Sequence, residues 1–191
     1  MGGSGVHGTV RRGAGLLALL LLTTAPALAT TVLRFSLEEL VERADLVVHG
    51  TCAEVKGRET PDGVVTDVTI RVARTLKGAA SETLQFTTYG GATESRGTFI
   101  AGSPQFEKGE ELIVFLDRPN RVGYRMAIGM SQGKYTVHED AAGRKVATRN
   151  LAGLRFVDPR TGEVEEAGPE QGVALDELLR TIQDAVSRSN R

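Results

Sequence analysis

Apolar and polar residues alternate most regularly between residues 67 and 72, where Val68, Ile70 and Val72 fall on one face and Asp67, Thr69 and Arg71 on the other. A period of two marks a strand with one face on a core and one in water. This strand runs out at Leu76-Lys77-Gly78. Upstream, residues 46–56 predict its partner, apolar on both faces at Leu46, Val47 and Val48. Pro61-Asp62-Gly63 supplies the turn between them, since proline presets one dihedral and glycine accepts a positive one. Residues 44–78 therefore predict a long antiparallel hairpin on which the rest of the chain is laid.

Further strands follow the same logic. Leu84, Phe86 and Thr88 predict one that stops at Gly90-Gly91, and residues 112–116 (LIVFL) predict the most buried strand, being apolar on both faces. Between them, residues 92–105 are polar and glycine-bearing and predict a long loop with a brief strand at 98–101. Residues 106–110 form a tight turn, and Arg118-Pro119-Asn120 turns the chain into a returning strand at 124–128. Shorter strands are expected at 133–137, 145–148, 154–157 and 163–166, with residues 138–144 and 158–162 as hairpin turns and 168–172 as a linker.

Two segments carry a helical period instead. Ser36-Leu37-Glu38-Glu39 matches a capping box, and Leu37, Leu40, Val41 and Ala44 follow at i, i+3, i+4 and i+7. A helix from about 174 to 187 places Leu175, Leu178, Leu179, Ile182 and Val186 on one face. The fold class expected is mainly β: a small OB-like barrel, with a short N-terminal and a longer C-terminal helix packed outside. No internal repeat or second domain is visible.

Residues 1–29 have the profile of a secretory signal, with Arg11 and Arg12 ahead of an apolar run at 14–22 and Ala27-Leu28-Ala29 as a cleavage site before Thr30. The run is too short to span a bilayer. Export to a periplasmic or extracellular setting is expected, with residues 30–191 as one domain. Cleavage removes two of the 23 basic residues and none of the 24 acidic ones, so the mature chain carries a net charge of −3. That balance argues against nucleic acid or an anionic membrane surface as partner, and no membrane span is expected.

Candidate chemistry is sparse. Cys52 is the single cysteine, so no intramolecular disulfide can form, and its mid-strand place predicts core packing rather than a reactive thiol. Beyond the leader only His49 and His138 remain, with no paired ligand spacing, so neither a metal nor another cofactor is expected. Ser131 lacks the Gly-x-Ser-x-Gly elbow, and Gly90-Gly91 is followed by no phosphate-loop lysine. Glu110-Glu111 and Glu165-Glu166 point to opposite faces in a strand and read as solvated charge. Without tryptophan a carbohydrate-stacking platform has little support, although Tyr89, Phe99, Phe106 and Tyr124 fall near the long loop.

Three strings, Ala44-Asp45-Leu46-Val47-Val48-x-Gly50, Thr66-Asp67-Val68-Thr69-Ile70-x-Val72 with Leu76-Lys77-Gly78, and Phe106-x-x-Gly109-Glu110-x-x-x-x-Phe115-Leu116, together resemble a group of exported bacterial proteins sometimes found beside matrixin-type metalloproteases. The order of elements is also similar to the netrin-like module of tissue inhibitors of metalloproteinases, an OB-type barrel with flanking helices. The resemblance covers roughly residues 36–137. Those inhibitors clasp a protease zinc with an N-terminal cysteine, whereas here Thr30 is the expected terminus and Cys52 is internal.

The leading expectation is a secreted, non-catalytic binding module that recognises a protein or cell-envelope component through Thr93, Glu94, Ser95, Arg96 and Phe99 of the long loop. The resemblance implies a second, an accessory or inhibitor of an extracellular metalloprotease. A third is an unrecognised hydrolase or metal enzyme using His49 or His138.

Overall fold

The computed structural model describes residues 1, 2 and 29–189; residues 3–28 of the expected leader, with Arg11, Arg12 and the apolar run, lie outside the described residues. In chain order the elements are β1 (Thr30–Val32), α1 (Leu37–Arg43), β2 (Leu46–Thr60), β3 (Gly63–Lys77), β4 (Thr83–Tyr89), β5 (Gly91–Ala92), β6 (Gly97–Thr98), β7 (Glu111–Leu116), β8 (Lys134–Glu139), β9 (Lys145–Thr148), β10 (Leu154–Val157), β11 (Val164–Glu166), β12 (Val173–Ala174) and α2 (Leu175–Ser189). The chain is mainly β, with a short helix near one end and a longer one at the other.

The hairpin forms where the alternation places it and is longer than the pattern required. Strands β2 and β3 are fifteen residues each and pair to their last residues, Thr60 with Gly63. Strand β7 pairs with the first part of β2, so the buried start of β2 becomes a central strand, while among the described residues its outer part has a ladder only with β3. The seven-stranded sheet runs β12-β9-β8-β7-β2-β3-β4. It does not close: β4 and β12 are its two edges, which corrects the expected barrel. A barrel needs those edges to pair. Here β12 is two residues long and leads directly into α2, and the outer side of β4 receives the Arg125 amide at Thr87 instead of a strand. Register shifts in the β2–β3 ladder after Val47, His49 and Cys52 add twist without closure.

Each face of the sheet has its own core. Ile113 and Phe115 of β7, with Val47 of β2, face the two helices and pack with Leu40, Val41, Leu178, Leu179 and Ile182. Leu112, Val114 and Leu116 point the other way and pack with Val48, Cys52, Ile70 and Phe86. Both faces of β7 are covered, as its unbroken apolar run predicts. The capping box on α1 forms in full: the Glu39 amide donates to Ser36 Oγ at 3.2 Å and the Ser36 amide donates to Glu39 Oε2 at 2.8 Å. On α2, Ala185 is buried and Val186 half-buried, a small rotation of the predicted stripe.

Two local expectations are corrected. Residues 124–128 form no strand, only a bridge from Ala127 to Leu116. Their backbone groups are divided, the Arg125 amide going to Thr87 of β4 and the Met126 amide to the Asp117 carboxylate, so no ladder builds. The long loop contains a small hairpin, β5 with β6, where a strand at 98–101 was expected. A third sheet, β1-β10-β11, pairs Thr30–Val32 parallel to Leu154–Val157 around a core of Leu151, Leu154 and Phe156. No helix among the described residues is long and apolar enough to cross a membrane.

Candidate functional site

Past the end of β4 the chain folds back over the sheet, and small residues let it come close. Gly57 sits where a Cβ would lie 1.9 Å from the Ala92 carbonyl oxygen, and Gly91, at φ +126°, sits where a Cβ would lie 2.1 Å from Thr66 Oγ1. Any side chain at either place would lift the loop off the hairpin. Hydrogen bonds then fix it. Thr66 Oγ1 donates to the Gly90 carbonyl at 2.7 Å, and the Val64 amide donates to Thr98 Oγ1 at 2.8 Å. At the tip, Thr93 Oγ1 and Ser95 Oγ both donate to Glu59 Oε1, at 2.9 and 2.5 Å.

The residues expected to form a binding loop therefore divide. Thr93 and Ser95 hold the tip on β2 through Glu59, while Glu94, Ser95 and Arg96 are all exposed. Phe99 is 74% exposed, an orientation that apolar burial alone would oppose. Tyr89 and Val122 are also unusually open, at 40% and 63%. Tyr89 packs edge-on against Tyr124, with ring centroids 5.3 Å apart.

Two grooves meet here. One, of 590 Å³, lies between the sheet and the loop, with Val55, Thr88, Phe99, Ile100, Pro104 and Phe106 among its walls; none of the described residues lining it is charged. The other, of 580 Å³, runs beside the β2–β3 turn past Val122 and Tyr124. Tyr89, Gly90, Thr98 and Ile100 belong to both. Two of the nearby charges are engaged within the chain, Arg58 donating to both Asp67 oxygens at 2.9 and 3.1 Å and Glu59 accepting the loop hydroxyls. The Arg58 guanidinium, with help from Thr87 against the opposing effect of burial, holds the Asp67 carboxyl below the ordinary range. The groove beside Phe99 is lined without charge, whereas the groove beside Val122 and Tyr124 also has Arg58, Glu59 and Asp62 in its walls.

Side chains considered for catalysis are dispersed. His49 Nε2 lies 2.8 Å from Glu111 Oε1, whose other oxygen accepts from Lys145 at 2.6 Å, and His138 is exposed on β8. Burial works to raise the Glu111 carboxyl, but Lys145 and His49 outweigh it and hold it low. Glu110 and Glu111 do face opposite sides of the sheet, yet both are ion-paired, Glu110 with Lys134 at 2.7 Å, so the expectation of solvated charge fails for them. Cys52 is fully buried, and burial pushes its thiol up, away from a nucleophilic thiolate. Among the described residues no group of three or more His, Cys, Asp or Glu side chains gathers as a metal site.

Sequence reading missed Gly57, Glu59 and Val122. Val122 is a lone apolar residue in the polar turn Asn120-Arg121-Val122-Gly123, a signal that could have found it. The pairing of Glu59 with residues 34 and 36 positions away leaves no local pattern. No protein-family model matches the chain, and a search of the curated proteins finds no match.

Proposed function

We propose that the chain is an exported, non-catalytic binding module, OB-like and netrin-like in the order of its elements, which docks a protein partner at the surface formed by Tyr89, Phe99, Val122 and Tyr124. The observation that carries this reading is the 74% exposure of Phe99 beside a groove with no charged lining residue, on a loop tied to the sheet rather than free. Exposed aromatic and aliphatic side chains on a fixed scaffold suit protein recognition, where a few anchors carry most of the affinity. The uncharged lining of the groove at Phe99 selects there against phosphate, carboxylate or ammonium groups and favours an apolar side chain of the partner.

The alternative of a metalloprotease inhibitor that clasps zinc through its terminal amine has less support. The Thr30 nitrogen donates to the Gly153 carbonyl at 2.8 Å, and Thr30–Val32 are paired in a sheet. A Thr30 amide engaged in this way, with Cys52 internal and buried, lends such a clasp no support.

The test is photo-crosslinking in the native exported fraction, with a photoreactive residue at position 99 or 122 and a control at Arg160. The partner caught at 99 and 122 is then purified and its affinity measured. Phe99→Ser and Val122→Ser are each expected to weaken binding about tenfold or more, as loss of an interface anchor does. Deleting residues 93–97 should preserve folding and abolish capture. Equal capture at Arg160, or unchanged affinity in both serine variants, overturns the reading. So does a concentration-dependent dimer dispersed by Phe99→Ser, which would make a second copy the occupant.

A further inference from the structure

Strand β2 outruns its neighbour β7. Their ladder ends at Thr51 opposite Glu111, and the turn before β7 adds one further step, the Cys52 amide donating to the Glu110 carbonyl at 2.9 Å and the Gly109 amide to the Cys52 carbonyl at 2.8 Å. Beyond it β2 continues to Thr60, and β3 shows which of its backbone groups are left open. The Val72 amide bonds the Glu82 carbonyl just before β4, and the Gly90 amide just after β4 bonds the Val64 carbonyl, so even-numbered residues of β3 bond toward β4. Val65, Asp67 and Thr69 therefore bond toward β2, where they stand opposite Arg58, Lys56 and Glu54. Val55, Gly57 and Glu59 turn their amides and carbonyls the other way, and none of these groups is hydrogen-bonded among the described residues. The register shift between Cys52 and Glu54 brings them to the side on which Cys52 meets the turn, so the open edge lies in line with β7.

The same edge borders the uncharged groove. Val55 and Gly57 are among the walls of the 590 Å³ groove, together with Phe99, Ile100, Pro104 and Phe106. Val55 also packs against the core on that side of the sheet, so alternate residues from 55 onward face the loop, while Glu54, Lys56 and Arg58 are exposed on the opposite face. Asp67, which stands opposite Lys56, gives both carboxylate oxygens to Arg58. The Lys56 ammonium forms no ion pair among the described residues and leaves positive charge at the edge.

We propose that the partner enters as a strand: an extended segment adds antiparallel to β2 at Val55, Gly57 and Glu59, in line with β7, with apolar side chains in the groove and acidic ones beside Lys56 on the other face. This inference rests on the reading that a protein docks here, and it names the form the partner takes. The antiparallel sense follows β2's two existing neighbours. An open edge is a template for another chain, its main-chain bonds giving affinity and the flanking pockets specificity. A second copy of this chain is the poorer occupant. Antiparallel self-pairing centred on Lys56, Gly57 or Arg58 sets Lys56 against Lys56, Lys56 against Arg58, or Arg58 against Arg58, and like charges opposed across a ladder destabilise it.

The test is a titration of the ¹⁵N-labelled full chain with an alternating valine–glutamate heptapeptide and with its isomer in which the valines are grouped together. In the proposed register the valines face the groove and turn their own amides to β2, while the glutamate amides point away. Saturable shifts at Val55, Gly57 and Glu59 are expected with the alternating peptide, and amide exchange at those positions should slow about tenfold or more at saturation. N-methylation of the valines should abolish binding and N-methylation of the glutamates should leave it, a distinction that side-chain docking alone does not produce. Lys56→Glu is expected to weaken binding about threefold or more, and Val122→Ser, in the other groove, to leave it unchanged. Absence of saturable shifts up to about 5 mM peptide overturns the proposal. Any other response to N-methylation, or equal binding of the grouped isomer, overturns it too, as does a dimer in which these amides are protected without peptide. The two readings fail separately. A captured partner that loses affinity in Val122→Ser yet leaves the Val55, Gly57 and Glu59 amides open to exchange keeps the docking surface and removes the strand; peptide pairing at the edge without capture at 99 or 122 does the reverse.

Discussion

Glu59 accepts hydroxyl protons from Ser95 and Thr93, and these bonds, Ser95 the stronger influence, hold its carboxyl below the ordinary carboxylate value of 4.5. A group whose folded value is depressed stabilises the structure above its unfolded value, and that contribution is lost as pH falls through the folded value. The protection of amides 93–97 against hydrogen exchange, corrected for intrinsic rates, should therefore be full at neutral pH and fall below the ordinary carboxylate range. Glu59→Gln should show low protection with no such step; a step of the same size in that variant would assign the pinning elsewhere. At this scale the sequence was legible where the residue type itself was telling. Cys52, mid-strand in an apolar pattern, was read as core and is fully buried, and Phe99 was picked out as an aromatic beside the long loop. Thr93 and Ser95 were recognised as loop residues but not as tethers, since a hydroxyl carries no sign of which carboxylate it will meet.

At the level of elements, the close seating of the β5–β6 hairpin on β2 depends on the missing side chain at Gly57. Gly57→Ala places a methyl group on the Ala92 backbone oxygen, and overpacking of this kind costs about 1–3 kcal/mol. Reduced stability in urea, together with an affinity loss matching that of Phe99→Ser, is the expected outcome. Full affinity would mean that the seating of the loop is irrelevant to recognition. Helices α1 and α2 were legible because a capping box and a 3.6-residue period are local signals. Residues 124–128 have the composition of a strand and yet form none, because their backbone groups are split between Thr87 of β4 and the end of β7 at 115–117, where one bond goes to a side chain. Composition reports what a segment can do, and the position of its neighbours decides which of those options is used.

For the molecule as a whole, the alternation along β3 and the unbroken apolar runs of β2 and β7 correctly assigned which side chains are buried but not how the sheet ends. Closure depends on the two edge strands, and nothing in the period of two distinguishes an open sheet from a closed one. Residues 112–116 show the strength of the reading, since all five are fully buried and are shared between two separate cores. Cys52 belongs to the second of these, on a strand flanked on both sides by others. Its sulfur is therefore a natural clock. A thiol reagent can label it only when the central strands part, so the labelling rate under native conditions measures how often that happens. Anything that binds the intact protein alone should slow the clock in proportion to its occupancy, and a fraction or compound that does so would declare itself before its identity is known. Labelling as fast as that of a free thiol would show instead that the strands open without resistance.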